Sequence, residues 1–203
     1  LFGTHVHVGI DRRDKVLPIL KAMLTRAYHI QALSASSPFW AGNKTNYASN
    51  RAMVFQQLPT AGVSRQFDTW DELERYTSDL VKTGTIGQFN EVRWDVRPSP
   101  GWGTLEVRVS DANTNALELR AIAAYIHCLV DHFSSELEAG RELPSLPDWF
   151  VAENKWRSAR YGMDAVLITD REGNEEPVSD TVRACLVELE PVGRAGQLDW
   201  VRW

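Results

Sequence analysis

Leu1-Phe2-Gly3-Thr4-His5-Val6-His7-Val8-Gly9 opens the chain, and its period-two alternation of apolar and polar residues predicts a β-strand. Phe2, Thr4, Val6, Val8 and Ile10 fall on one face; Gly3, His5, His7 and Gly9 fall on the other. Two imidazoles therefore point the same way, about 6.5–7 Å apart along the backbone for a two-residue step. Side chains so placed can engage neighbouring parts of one site, such as a metal and an anion that it holds. A half-exposed strand with two incidental histidines shows the same pattern, so the rest of the chain has to decide between them.

The 203 residues are enough for one sizeable domain core, or for a piece of a larger one. With 43% hydrophobic and 24% charged residues the composition is that of a globular protein, neither disordered nor membrane-embedded. The net charge of −5 gives no electrostatic argument for nucleic acid, so an anionic ligand would need a local cluster of basic side chains. No signal peptide and no apolar run of membrane-spanning length is present. Cys128 and Cys185 lack metal-like spacing and read as buried thiols of a reducing, cytoplasmic compartment. The chain begins inside a strand with nothing to pair it, which reads as a fragment whose preceding strands are missing.

Further along, Asp14 to Ala32 has helical spacing with Asp14 as N-cap, and Ser34 to Arg51 reads as a long polar loop in which Arg51 is a surface residue. Gln57 to Phe67 continues as loop. Thr69-Trp70-Asp71-Glu72 is a capping box that starts a helix running to Lys82 and stopped by Gly84. Ala116 to Glu138, capped by Asn113 or Asn115, is apolar around most of its circumference and predicts a core helix. Asp148 caps a further helix with Lys155, Arg157 and Arg160 on a basic, solvated face. Val166–Thr169 and Glu176–Val178 flank a small hairpin, and a last helix runs from Asp180 to Leu189.

Glu91 to Asp111 predicts a second hairpin. Val92, Trp94 and Val96 alternate with Glu91, Arg93, Asp95 and Arg97; Leu105, Val107 and Val109 alternate with Thr104, Glu106, Arg108 and Ser110. The charged face reads either as solvated ion pairs outside the core or as a metal–phosphate site, in which Glu supplies a hard oxygen and Arg neutralises phosphoryl oxygens.

Together Leu1–Gly9, Ala32–Trp40, Trp94–Pro100, Gly103–Val109, Asn154–Arg157 and Arg160–Gly162 resemble, in order, the blocks of the type 2 glutamate–cysteine ligase family, the YbdK-like carboxylate–amine ligases. More distantly, the HxH strand and Leu105–Asp111 are similar to two active-site strands of glutamine synthetase. The resemblance implies an α+β fold, a glutamine synthetase-like catalytic domain whose curved antiparallel sheet has helices on its outer face. Residues 1–203 would be the C-terminal part of that domain. One departure lies in the loop, where Lys44-Thr45-Asn46-Tyr47 stands for the family's usual Asp-Thr-Gly-Tyr.

The activity implied is ATP-dependent joining of a carboxylate to an amine, most simply glutamate to cysteine in thiol biosynthesis, through a γ-glutamyl phosphate. By the same resemblance His5 and Glu106 would ligate Mg²⁺ (or Mn²⁺), and His7 and Arg108 would hold the nucleotide phosphates and the transferred group. Arg97 and Arg51 are candidates for substrate carboxylate or acyl phosphate, with Arg157 and Arg160 behind them. The implied partners are ATP, glutamate, an amine, the N-terminal part of the protein and further copies in a homo-oligomer, without nucleic acid or membrane. Three alternatives stand beside this: a family ligase for another carboxylate or amine, a non-catalytic homologue that binds ATP or an amino acid, and a metal-dependent hydrolase. The last would need more ligands than His29, His127 and His132, which all fall on predicted helices.

Overall fold

The computed structural model describes residues 2–195. Strand β1 (Gly3–Gly9) is followed by α1 (Arg13–Leu24) and α2 (Ala27–Ser34), then a minimal hairpin of β2 (Phe39–Trp40) and β3 (Asn43–Lys44), and α3 (Asn50–Phe55). β4 (Ala61–Gly62), α4 (Trp70–Lys82), β5 (Arg93–Trp94), β6 (Val96–Ser99) and β7 (Thr104–Asp111) come next. α5 (Ala116–Glu138), α6 (Asp148–Tyr161), β8 (Val166–Ile168), β9 (Glu175–Pro177) and α7 (Val178–Ala195) complete the described chain. The class is α+β.

The main sheet has the order β1-β7-β6, antiparallel throughout. Its apolar face carries Val8, Val96, Leu105, Val107 and Val109, all buried in one core with side chains of α1, α2 and α5. Fully burying each such aliphatic side chain stabilises the fold by about 1.5–3 kcal/mol, so the helices fix which face is left for chemistry. α5 has the expected bounds, with Asn115 accepting from the amides of Leu117 and Glu118. α4 starts at the expected Thr69–Glu72 capping box and ends before Gly84, whose φ is 70°. The β8–β9 hairpin also forms, and both cysteines are buried and free.

Several expectations are corrected. The helix expected over 14–32 breaks at Thr25-Arg26: the Thr25 hydroxyl donates to the Ala22 carbonyl, and the two halves pack on different neighbours, α1 on β6 and α5, α2 on β7 and α6. Its N-cap is Arg12; Asp14 sits in the first turn, paired with the Arg12 guanidinium. The long loop is shorter than expected, because Ser49 accepts from Ala52 N and starts α3, while Ala41 and Gly42 (φ 48° and 80°) turn the β2–β3 hairpin. The first arm of the Glu91–Asp111 hairpin is divided: Arg93–Trp94 pairs in parallel with Ala61–Gly62, and only β6 pairs with β7. α6 begins at Asp148 with Pro147 as N-cap, and the last helix extends over Val178–Ala195. The residues after 195, including the end of the chain at Trp203, lie outside the described ones. Among the described residues no helix is long and apolar enough to cross a membrane.

Candidate functional site

Register brings His7 opposite Glu106 on one side and Arg97 opposite Glu106 on the other, so three strands aim three functional groups at one point. Glu106 is only 2% exposed. Its Oε2 accepts from Arg97 Nε at 2.6 Å and its Oε1 from Arg108 Nη1 at 2.6 Å. The same Oε1 lies 3.3 Å from His5 Nδ1 and 3.5 Å from His7 Nε2. His7 is steadied from behind by Thr104, whose hydroxyl is 2.9 Å from Nδ1. Burial alone would raise the Glu106 carboxyl, but hydrogen bonds from His5 and Arg97 and the charges of Arg108 and Arg97 hold it far below the usual carboxylate range. Of the two readings of the charged face, solvated ion pairs outside the core do not describe the buried Glu106.

Beyond this cluster β7 carries a bulge. Thr4 pairs with Ser110 and Val6 with Val107, so Arg108 and Val109 together stand opposite His5. The extra residue reverses the alternation: Asp111, not Ser110, shares the face of Gly3 and His5. Asp111 is buried and acts as a hub, accepting from Ser36 N (2.9 Å), Ser37 Oγ (2.7 Å) and Ser49 Oγ (2.8 Å). Those bonds fasten the segment after α2 to the end of β7.

Arg51 is the clearest revision of burial: expected at the surface, it is 5% exposed. Its guanidinium donates to the carbonyls of Arg108 (3.2 Å) and Val109 (3.4 Å) and lies 4.0 Å from Asp111. It occupies the space where a Cβ on Gly3 would fall, within 2.6 Å of three guanidinium atoms. A side chain at position 3 would force the Arg51 guanidinium to move, and Arg51 extends the basic row along the His5 face. Burial lowers its pKa, as it does that of Arg108, but guanidinium groups stay charged.

Other basic residues separate cleanly. Lys155, expected on a solvated face, is 3% exposed, and its Nζ donates to Oδ1 and Oδ2 of Asp95 (2.9 and 2.7 Å); Oδ2 also accepts from the Tyr28 hydroxyl at 3.1 Å. Asp95 consequently leaves the charged face, while its backbone carbonyl accepts from Arg108 N at 2.7 Å. Arg157 pairs with Glu153 and Glu175. His29 is buried against the Tyr125 hydroxyl, His132 faces Glu188 and His127 is exposed, so none approaches the cluster. Asp111, its serines and the Asp95–Lys155 pair were missed from sequence; the only local signal was the Ser-rich run after α2.

Among the described residues no group of three or more His, Cys, Asp or Glu side chains is placed to hold a metal ion. One carboxylate flanked by two imidazoles suits a hard cation only if that cation brings its own oxygens, as Mg²⁺ does when it travels with phosphates. Beside the cluster lies a cavity of about 640 Å³ whose walls include Ile10, Val16, Trp70, Leu73 and Phe89, with Thr104 on its lining.

The sequence profile of the glutamate–cysteine ligase family 2 matches residues 1–199. The chain is 54% identical over 192 residues to "Putative glutamate--cysteine ligase 2-2" of Paenarthrobacter aurescens (strain TC1), covering 95% of this chain and 50% of that relative. It is likewise 54% identical over 195 residues to "Putative glutamate--cysteine ligase 2" of Mycobacterium ulcerans (strain Agy99), covering 96% and 50%. A Leifsonia xyli relative of the same name gives 54% over 192 residues, 95% and 51%. The chain spans about half the length of the curated relatives it matches. On the strength of that match, which runs through every strand of the site, the chain belongs to the glutamate–cysteine ligase family 2.

Proposed function

We propose that this chain carries part of the active site of an ATP-dependent carboxylate–amine ligase, and that the reaction is glutamate–cysteine ligation. The observation that carries the reading is the Glu106 cluster, one carboxylate held among two guanidinium groups and two imidazoles on one sheet face. Phosphoryl transfer asks for charge neutralisation and positioning rather than covalent help from the protein, and such a face supplies both. The same proposal includes the glutamine synthetase-like architecture, with this sheet as one wall of a cup.

In the first step an oxygen of the glutamate γ-carboxylate attacks the γ-phosphorus of ATP. The bond from that phosphorus to the β-phosphate oxygen breaks, ADP leaves, and γ-glutamyl phosphate forms. The amine nitrogen then attacks the acyl carbon, the bond to the phosphate oxygen breaks, and the surplus proton goes to solvent. Arg108 and His7 bind and orient the nucleotide phosphates; Arg97 and Arg51 receive the substrate carboxylate or the acyl phosphate. Glu106 keeps both guanidinium groups aimed at one point, and the nearby apolar cavity takes the base. Glu106 and His5 would hold Mg²⁺, which when bound adds neutralising charge at the phosphates.

The test is release of ADP by the full-length protein with glutamate and a panel of amines. Turnover that needs both glutamate and cysteine is expected; ADP release indifferent to glutamate would overturn the ligase reading. Turnover with glutamate and a different amine would support the ligase and replace cysteine.

A further inference from the structure

Arg160 is the one candidate arginine that neither the cluster nor the surface ion pairs absorb. It sits half-buried in the last turn of α6, its guanidinium 5.6 Å from the ring centre of Tyr47 and 5.4 Å from that of Tyr161. Both distances are within cation–π range, so two rings hold the side chain without using its N–H donors. Among the described residues no carboxylate or carbonyl accepts from it. Arg157, one turn earlier, shows the ordinary alternative, with Glu153 and Glu175 as partners.

A second, independent observation lies next to it. Asn50 is 8% exposed, and its Nδ2 is buried with no acceptor. An unmet buried donor destabilises the fold, and a bound acceptor would recover that loss. The two backbones run side by side here, because Ser49 N donates to Ala159 O at 2.9 Å, and Asn50 and Arg160 follow those two residues in the chain. The same Ser49 bonds Asp111 at 2.8 Å, at the end of the site's central strand. Tyr47 rides on the segment that these bonds fasten. Each of the two adjoining helix ends thus carries donors without acceptors, the Asn50 amide buried and the Arg160 guanidinium half-buried, close-packed where Gly162 leaves only 3.0 Å between a Cβ and that of Ala48.

We propose that Arg160 and Asn50 form a carboxylate subsite that binds the α-carboxylate of the amine substrate, so that the ligase selects amino acids over simple amines. The inference rests on the ligase reading for its meaning in catalysis, but not for its test. Guanidinium suits a carboxylate bidentately, and an amide N–H can add to either oxygen. Arg51 already donates to the backbone carbonyls of Arg108 and Val109 and takes no part in this subsite.

Binding by the full-length protein is measured by calorimetry with L-cysteine and with cysteamine, which lacks the carboxylate, for wild type, Arg160→Met, Arg160→Lys and Asn50→Ala. Wild type should bind L-cysteine at least tenfold more tightly than cysteamine. Arg160→Met should bring the two within about threefold, with Arg160→Lys and Asn50→Ala between. In turnover, Arg160→Met should raise the KM for L-cysteine tenfold or more and leave those for ATP and glutamate within twofold. A wild type indifferent to the carboxylate, or an Arg160→Met protein of normal thermal stability that keeps the preference, overturns the subsite. Absence of glutamate-dependent ADP release would instead count against the ligase reading, and the binding comparison would still decide the subsite.

Discussion

Glu106 shows how one side chain can be at once structural and chemical. Its carboxylate is enclosed by two guanidinium groups, so removing its charge leaves two partly buried cations without a counter-ion. Glu106→Gln should therefore lower kcat by roughly 10²-fold, the scale for losing one preorganised electrostatic contact. It should also cost about 3 kcal/mol of stability, as breakage of a buried pair does; urea titration beside turnover measures both. His29 makes a pH prediction at the same scale. Burial, with the Arg26 charge adding to it, lowers its pKa from 6.5 to about 3. The folded state therefore prefers neutral imidazole, and the stability this contributes is complete above pH 6.5 and declines as pH falls towards 3. At pH 5 the loss is about 2 kcal/mol. His29→Gln should flatten that part of the stability–pH curve, and an unchanged slope between pH 7 and 5 would refute the assignment.

At the level of elements, what was legible in the sequence was local chemistry. The Thr69–Glu72 box and the Asn115 cap are satisfied within one turn, so spacing alone located both helices. The HxH strand and the Glu106–Arg108 face were legible because period two holds as far as the bulge. What failed depended on partners far away in the chain. Lys155 looked solvated because its neighbours on α6 are polar, yet its counter-ion Asp95 lies sixty residues away. Arg51 looked like a surface residue because nothing local announces the gap at Gly3. The bulge itself carries no glycine or proline to betray it. The Asp95–Lys155 pair also ties α6 to the strand junction that holds Arg108, through the Asp95 carbonyl. Lys155→Met leaves a buried carboxylate without a cation and should cost about 3–5 kcal/mol. Adding Asp95→Asn to it should restore much of that loss, because the uncompensated charge is then gone. A double variant as unstable as Lys155→Met alone, in chemical denaturation, would show that the pair does not act as a unit.

Across the whole molecule of the proposed ligase, charge decides the order in which ligands arrive. Two guanidinium groups face one carboxylate at the centre of the site, with Arg51 and Asp111 offsetting each other beyond it. With neutral imidazoles the central cluster carries one net positive charge. A bare divalent cation about 5 Å away would meet repulsion of about 7 kcal/mol at an effective dielectric near 20. A polyphosphate meets the opposite field, and a cation already clothed in phosphates enters with it. ATP without metal should therefore bind this face more tightly than Mg²⁺ without ATP, and added salt should weaken the ATP binding, because the attraction is partly screened. Calorimetry on the full-length protein and on residues 1–203 separates the contributions, since the latter contains the described cluster and about half the length of the relatives. Micromolar binding of Mg²⁺ alone to residues 1–203 would mean that Glu106 is free to coordinate while Arg97 and Arg108 look elsewhere, contrary to the geometry of the cluster. Loss of ATP binding on Arg108→Lys, with Mg²⁺ still unbound, is the outcome that follows from a planar donor fork aimed at phosphate oxygens.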